Sequence, residues 1–133
     1  MTNPFGDADK RVVVTGAATG VGAALIELLA ELEASHVTVI DVKAPTGPHD
    51  VFIETDRSDS AAVDAAIAAI DGDVHALFNN AGVADTMPPR AVLAVNFLAL
   101  RRLSEGLLDQ VPAGGAIVQH GIDRREPVAV PPR

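Results

Sequence analysis

Cysteine, tryptophan and tyrosine are all missing from this chain of 133 residues. Without cysteine there are no disulfides and no thiolate metal sites. Without tyrosine, no phenol can serve as an acid or base. Lysine is almost absent as well, with only Lys10 and Lys43, both in the first third. The formal net charge of −8 argues against a nucleic-acid partner, because an acidic surface repels phosphate backbones. No apolar run approaches the roughly 18 residues needed to cross a bilayer. The start, MTNPFGDADK, has acidic residues and no apolar core, unlike a secretory signal. A cytoplasmic location is the expectation. The histidines, His36, His49, His75 and His120, are scattered without metal-ligand spacing.

What the chain does contain is aliphatic. Apolar residues make up 48%, enough for one hydrophobic core and one domain. Arg11–Thr15 (RVVVT), His36–Ile40 (HVTVI), Val51–Thr55 (VFIET) and Val74–Phe78 (VHALF) are short β-branched or apolar runs that read as buried strands. A fifth begins at Ala116–Val118. Helical spacing covers Gly20–Glu33, with Val21, Leu25, Leu28, Leu29 and Leu32 on one face. Ser58–Ile70 is a second helix, with Ser58 as its N-cap candidate. Ala91–Gln110 is a third, long and amphipathic, starting beyond Pro89. Between the second and third strands, Val42–Asp50 carries Pro45, Gly47 and Pro48 and reads as a loop, short for a parallel crossover. Alternating strands and helices predict an α/β fold, a doubly wound, Rossmann-type parallel sheet of five strands in the order 3-2-1-4-5.

The sharpest local signal is Thr15-Gly16-Ala17-Ala18-Thr19-Gly20-Val21-Gly22, between the first strand and the first helix. Glycines there let the backbone turn tightly and approach a pyrophosphate, and the free N–H groups of the helix start favour its charge. The spacing is G-x-x-x-G-x-G, with no Lys-Ser/Thr of a P-loop after it. A turn that merely connects strand to helix is the alternative. Asp41 ends the second strand. A carboxylate there can accept from both adenosine ribose hydroxyls and repels a 2′-phosphate, so NAD is favoured over NADP. Val42 and Lys43 follow it, and the cation can partly offset that repulsion. The plainer reading of Asp41 is a solvated carboxylate at a strand end.

Taken together, T-G-x-x-x-G-x-G after strand one, Asp41 after strand two, Asp56 after strand three, Asn79-Asn80-Ala81-Gly82 after strand four and Asn96 in the next helix resemble the short-chain dehydrogenases/reductases. The match runs from about Arg11 to Val118, close to half of a complete member. The resemblance implies an NAD-dependent oxidoreductase transferring hydride to or from an alcohol or ketone. It places Thr15, Gly16, Thr19, Gly20, Val21 and Gly22 at the pyrophosphate and Asp41 and Val42 at the adenine ribose. Asp56 and the Arg57 backbone would touch the adenine, and Asn79, Asn80, Ala81 and Gly82 would lie along the cofactor. Asn96 would position a water in the proton relay. A helix cap or loop carboxylate, a plain turn and a satisfied buried amide are the respective alternatives for Asp56, Asn79–Gly82 and Asn96. The short loop after strand two, and the short segment from Gly82 to Asn96, are similar to the branch holding bacterial 3α-hydroxysteroid dehydrogenase and carbonyl reductase. Oligomers in this family often form through the helix corresponding to Ala91–Gln110.

The same resemblance calls for a Ser after strand five and then Tyr-x-x-x-Lys. Here Gln119-His120-Gly121-Ile122 ends strand five, Ile122 stands where Ser is expected, and no Tyr exists. By this reading the chain is a cofactor-binding half-domain, 1–118, followed by an atypical tail, 119–133, and is inactive as written. A slipped reading frame near Val118 accounts for the tail. Residues 119–126 can be encoded so that dropping one base yields Ser-Met-Ala-Ser-Thr-Ala-Gly. A natural short protein with a divergent tail is the alternative, as is a non-catalytic NAD-binding or redox-sensing module. His120 is weighed as a replacement base and set aside for want of a carboxylate partner.

Overall fold

The computed structural model describes residues 9–82 and 87–120. Five parallel strands form one sheet in the order β3-β2-β1-β4-β5, as the alternation of elements predicts. They are β1 (Arg11–Thr15), β2 (His36–Asp41), β3 (Val51–Glu54), β4 (Ala76–Asn79) and β5 (Ala116–Gln119). β1 is central, in register with Val37–Ile40 on one side and Ala76–Asn79 on the other. The three consecutive valines of β1 explain why. Side chains alternate across a strand, so Val13 joins one core, while Val12 and Val14 join the other.

The two cores are covered by different helices. α1 (Gly20–Glu31) packs Ile26 and Leu29 onto Val12, Val14, Val37 and Val39. α2 (Ser60–Ala69) and the helical run 89–110 pack Val63, Ala66, Ala99, Leu103 and Leu107 onto Val13, Ile40 and Leu77 on the opposite face. Each fully buried aliphatic side chain of this kind is worth roughly 1.5–3 kcal/mol.

Several boundaries and faces differ from the sequence expectation. The buried stripe of α1 is Gly22, Ile26 and Leu29, whereas Val21 and Leu28 are exposed. The stripe is rotated because Gly22 must nest against the turn before it, which sets the phase of the whole helix. α2 is capped by Asp59, not Ser58. The Asp59 carboxylate accepts from Ala61 N at 3.0 Å, while Ser58 donates through both its amide and its hydroxyl to Asp56 Oδ1. The long helix begins at Pro89 itself, as α3 (Pro89–Leu93), because a proline at the first position forfeits no internal hydrogen bond. It then widens into a π-helical segment (Ala94–Ala99), continues as α4 (Leu100–Leu107) and tightens into a 3-10 turn (Leu108–Gln110).

The crossover from β2 to β3 is a loop without a helix. Pro45 is buried in it, and at Gly47 an added Cβ would stand 2.9 Å from Ile26 Cδ1. The loop therefore presses on α1 where a longer connection would carry its own helix. Asp50 closes it, its carboxylate accepting from Val37 N at 2.6 Å. Expectations for Ile122 and the rest of the tail beyond His120 fall outside the described residues.

Candidate functional site

At the carboxyl ends of β1, β2 and β4 lies a cleft of about 380 Å³. This is where ligands bind in open α/β sheets. Its floor is the glycine turn. Gly16 has φ +73° and Gly20 φ +63°, a region that side chains rarely adopt. A Cβ on Gly16 would meet Ala81 Cα at 2.8 Å, and one on Gly22 would sit 1.9 Å from the Gly16 carbonyl oxygen. The turn is thus wedged between β4 and the first turn of α1, and only glycine fits at these two places. Thr15 locks the wedge from beneath, its buried hydroxyl accepting from Ala81 N at 3.1 Å.

α1 starts at this floor with its N-terminus unsealed. Thr19 takes the N-cap position but its side chain makes no cap bond, and the first turn carries no acidic residue. The leading N–H groups and the positive end of the helix dipole therefore face the cleft without an internal acceptor. A diphosphate is the kind of group that such a cradle accommodates.

Asp41 forms the next wall. It is only 7% exposed, and its carboxylate is held by three backbone amides: Ala18 N at 3.2 Å, Val42 N at 2.7 Å and Lys43 N at 3.3 Å. These bonds tie the end of β2 to the glycine turn. They also keep the carboxylate in one place at the edge of the cleft. Lys43 and Arg57 line the same space.

Asn80, Ala81 and Gly82 complete the far side, with His120 beyond them. His120 N donates to Asn79 O at 3.1 Å, continuing the ladder past β5. Asn79 points down instead of into the cleft. It is buried, and its Nδ2 donates to Ser104 Oγ at 3.2 Å.

Of the residues singled out in the sequence, Gly16, Thr19, Val21, Gly22, Asp41, Arg57, Asn80, Ala81 and Gly82 come together around this cleft. Thr15 and Asn79 support it from below. Val42 is 60% exposed. Asp56 is exposed and turned onto Ser58, whose two bonds hold its carboxyl below the usual aspartate value. Asn96 lies half-buried in the π-helical segment, away from the cleft lining. Sequence reasoning missed Ala18 as a lining residue, weighed Lys43 only as a cation beside Asp41, and gave Arg57 a role through its backbone alone. The Arg57 side chain carried no signal, because only the fold brings it across to β4. Burial lowers the pKa of its guanidinium, and the carboxylates of Asp41 and Asp56 pull the other way.

No group of three or more potential metal ligands exists among the described residues, and no helix among them is long and apolar enough to cross a membrane.

This strand order, with the glycine turn at its centre, matches known proteins. The family model for short chain dehydrogenases covers residues 10–121, and the chain belongs to that family. It is 36% identical over 110 residues to a coniferyl-alcohol dehydrogenase from a Pseudomonas strain, an alignment covering 83% of this chain and 43% of the relative. Its fold matches a short chain dehydrogenase family protein from Francisella tularensis with a TM-score of 0.81 at 24% identity, over 90% of this chain and 55% of that one. A short chain dehydrogenase from Burkholderia cenocepacia, solved in complex with NADP, gives 0.72 at 27% identity, over 88% and 56% respectively. The chain thus spans about half the length of these relatives.

Proposed function

We propose that this chain is the nucleotide-binding half of a dehydrogenase that uses NAD in preference to NADP and acts on an alcohol or ketone. One observation carries the reading: a glycine turn that tolerates no Cβ at Gly16 or Gly22 shares a single cleft with a buried, fixed carboxylate at Asp41. The turn and the open N-terminus of α1 would hold the diphosphate. Asp41 would accept from the adenosine ribose hydroxyls, and its charge disfavours a phosphate on that ribose. Ala81 and Gly82 would lie along the cofactor, and Asn96 would orient a water for the proton relay. When bound, the nicotinamide supplies hydride acceptance or donation. An alcohol substrate is supported by the coniferyl-alcohol dehydrogenase relative. A steroid-like one rests only on the short segments after β2 and after Gly82. Self-association would use the exposed Leu93, Phe97 and Leu98 of the helical run 89–110.

Asp41→Ala tests the cofactor assignment. Removing a charged acceptor of two hydroxyls costs about 1.5–3 kcal/mol, so titration should show NAD binding weakened roughly ten-fold or more and NADP binding little changed. Equal losses for both cofactors would remove the assignment.

The second reading weighed from the sequence is a module that binds NAD without turning it over. Oxidation of a secondary alcohol by the chain with NAD would exclude that module. Resequencing the gene from the Gly114 codon onward tests the slipped-frame account of the tail. A Ser followed by Tyr-x-x-x-Lys in another frame supports the account, and no such frame refutes it.

A further inference from the structure

Among the described residues, one charged group at the cleft has buried nitrogens without a hydrogen-bond partner. The side chain of Arg57 borders the cleft above the glycine turn. It also borders a hollow of about 350 Å³ between α2 and the helical run 89–110, and a space of about 10 Å³ beneath, reaching Asn79 and Val95. Its Nε and Nη1 are buried and have no hydrogen-bond partner among the described residues. The two carboxylates that attract it are engaged elsewhere. Asp41 accepts from Ala18, Val42 and Lys43, and Asp56 accepts from Ser58. Two guanidinium nitrogens taken out of water without an acceptor are unfavourable. The planar guanidinium fork, however, suits the paired oxygens of a phosphate better than any other side chain does.

We propose that Arg57 is an anion-recognition residue of this cleft, and that its partner is a phosphate of the bound nucleotide. The inference rests on the nucleotide-binding reading above and adds a residue outside the glycine turn to it. Binding and the satisfaction of Arg57 are then one event. The phosphate supplies the acceptor that Arg57 Nε and Nη1 lack among the described residues. The small space below could hold one water, and a water bridging Arg57 to Asn79 is the competing account.

The test uses Arg57→Met, which keeps the apolar stem, and Arg57→Lys, which keeps the charge but loses the fork. Adenosine, ADP and adenosine 2′-phosphate are titrated calorimetrically into each chain, and the ligand-free chains are melted. The expected result is a ten-fold or greater loss of ADP affinity in Arg57→Met, with adenosine affinity held within two-fold. Arg57→Lys should fall between, and ligand-free Arg57→Met should melt no lower than the parent. Salt should weaken ADP binding by the parent more steeply than by Arg57→Met. Selective loss of the 2′-phosphate compound, with ADP unchanged, would place the anion on the ribose, against the NAD reading on which the inference rests, and overturn the proposal. Equal loss of adenosine and ADP, or a lower melting temperature with unchanged affinities, would make Arg57 a strut bridged by water and overturn the proposal. A parent chain that binds none of the three defeats the nucleotide reading and this inference with it, an outcome visible before any variant is made.

Discussion

The two walls of the cleft are built on opposite terms. The glycine wall is fixed by shape: Gly16 abuts Ala81 and Gly22 abuts Gly16, both closer than any side chain would allow. The wall made by the ends of β3 and β4 is well packed but left open in polarity. Arg57 Nε and Nη1, Asn79 Oδ1 and Asn80 Nδ2 are all buried without hydrogen-bond partners among the described residues. Native interiors hold few such groups, so three such atoms on two residues lining one side of the cleft, with Asn79 Oδ1 beneath them, form a pattern. One wall dictates where a ligand's backbone-facing atoms lie. The other carries polar atoms that contacts among the described residues leave unused.

That contrast can be broken from the glycine side with the largest effect. Gly22→Ala forces a methyl against a backbone carbonyl that cannot swing away, and should cost more than about 3 kcal/mol. Thermal melting would show it, and a variant as stable as the parent would mean that the turn is not wedged. Gly20→Ala is the sharper comparison. No atom lies within 4 Å of its added Cβ, yet φ is +63°. Only the conformational cost should appear, roughly 1–2 kcal/mol. A loss at Gly20 as large as that at Gly22 would shift the explanation from contact to backbone strain.

Away from the cleft, Asp59→Ala should cost about 1 kcal/mol through loss of the α2 cap, with Ser58→Ala costing less if Asp59 is the true cap. Acid gives the smallest effect. The folded-state pKa of Asp56 is lowered by the Ser58 hydroxyl and amide, and that of Asp64 by Arg102. Such groups add stability above the unfolded value near 4 and lose it as pH falls through their lower folded values. The decline should therefore fall below about pH 4, and Ser58→Ala should bring the Asp56 titration, followed by carboxyl NMR, back toward the ordinary value.

Strand identity and sheet order were legible because β-branched runs and glycine punctuation are local signals. Asp41 and the glycine turn were legible for the same reason. What escaped depends on distance in the fold. The phase of α1 is set by Gly22 meeting Gly16, so Ile26 faces the core in place of Leu28, although both are equally apolar. Ser58 and Asp59 are both good caps, and only Asp56, which takes Ser58, decides between them. Arg57 was read through its backbone, since nothing in DRSD says that the side chain runs toward β4.

The π-helical segment bears on a matter of phase. In the run 89–110 the core residues Val95, Ala99, Leu103 and Leu107 recur every fourth position. On a regular α-helix of 3.6 residues per turn, each such step advances about 40°, so three steps would carry the stripe well around the cylinder and lift one end off the sheet. The wider turn at Ala94–Ala99 winds in the opposite sense relative to that period, as a vernier corrects a scale, and returns Val95 to the line of Leu103 and Leu107. Seen this way, the extra width is an angular correction. Deleting a single residue between Val95 and Ala99 would reset the spacing to three, four and four, which a regular helix returns to within about 20° of its starting line, so the wide turn is how the run absorbs one residue more than the sheet needs.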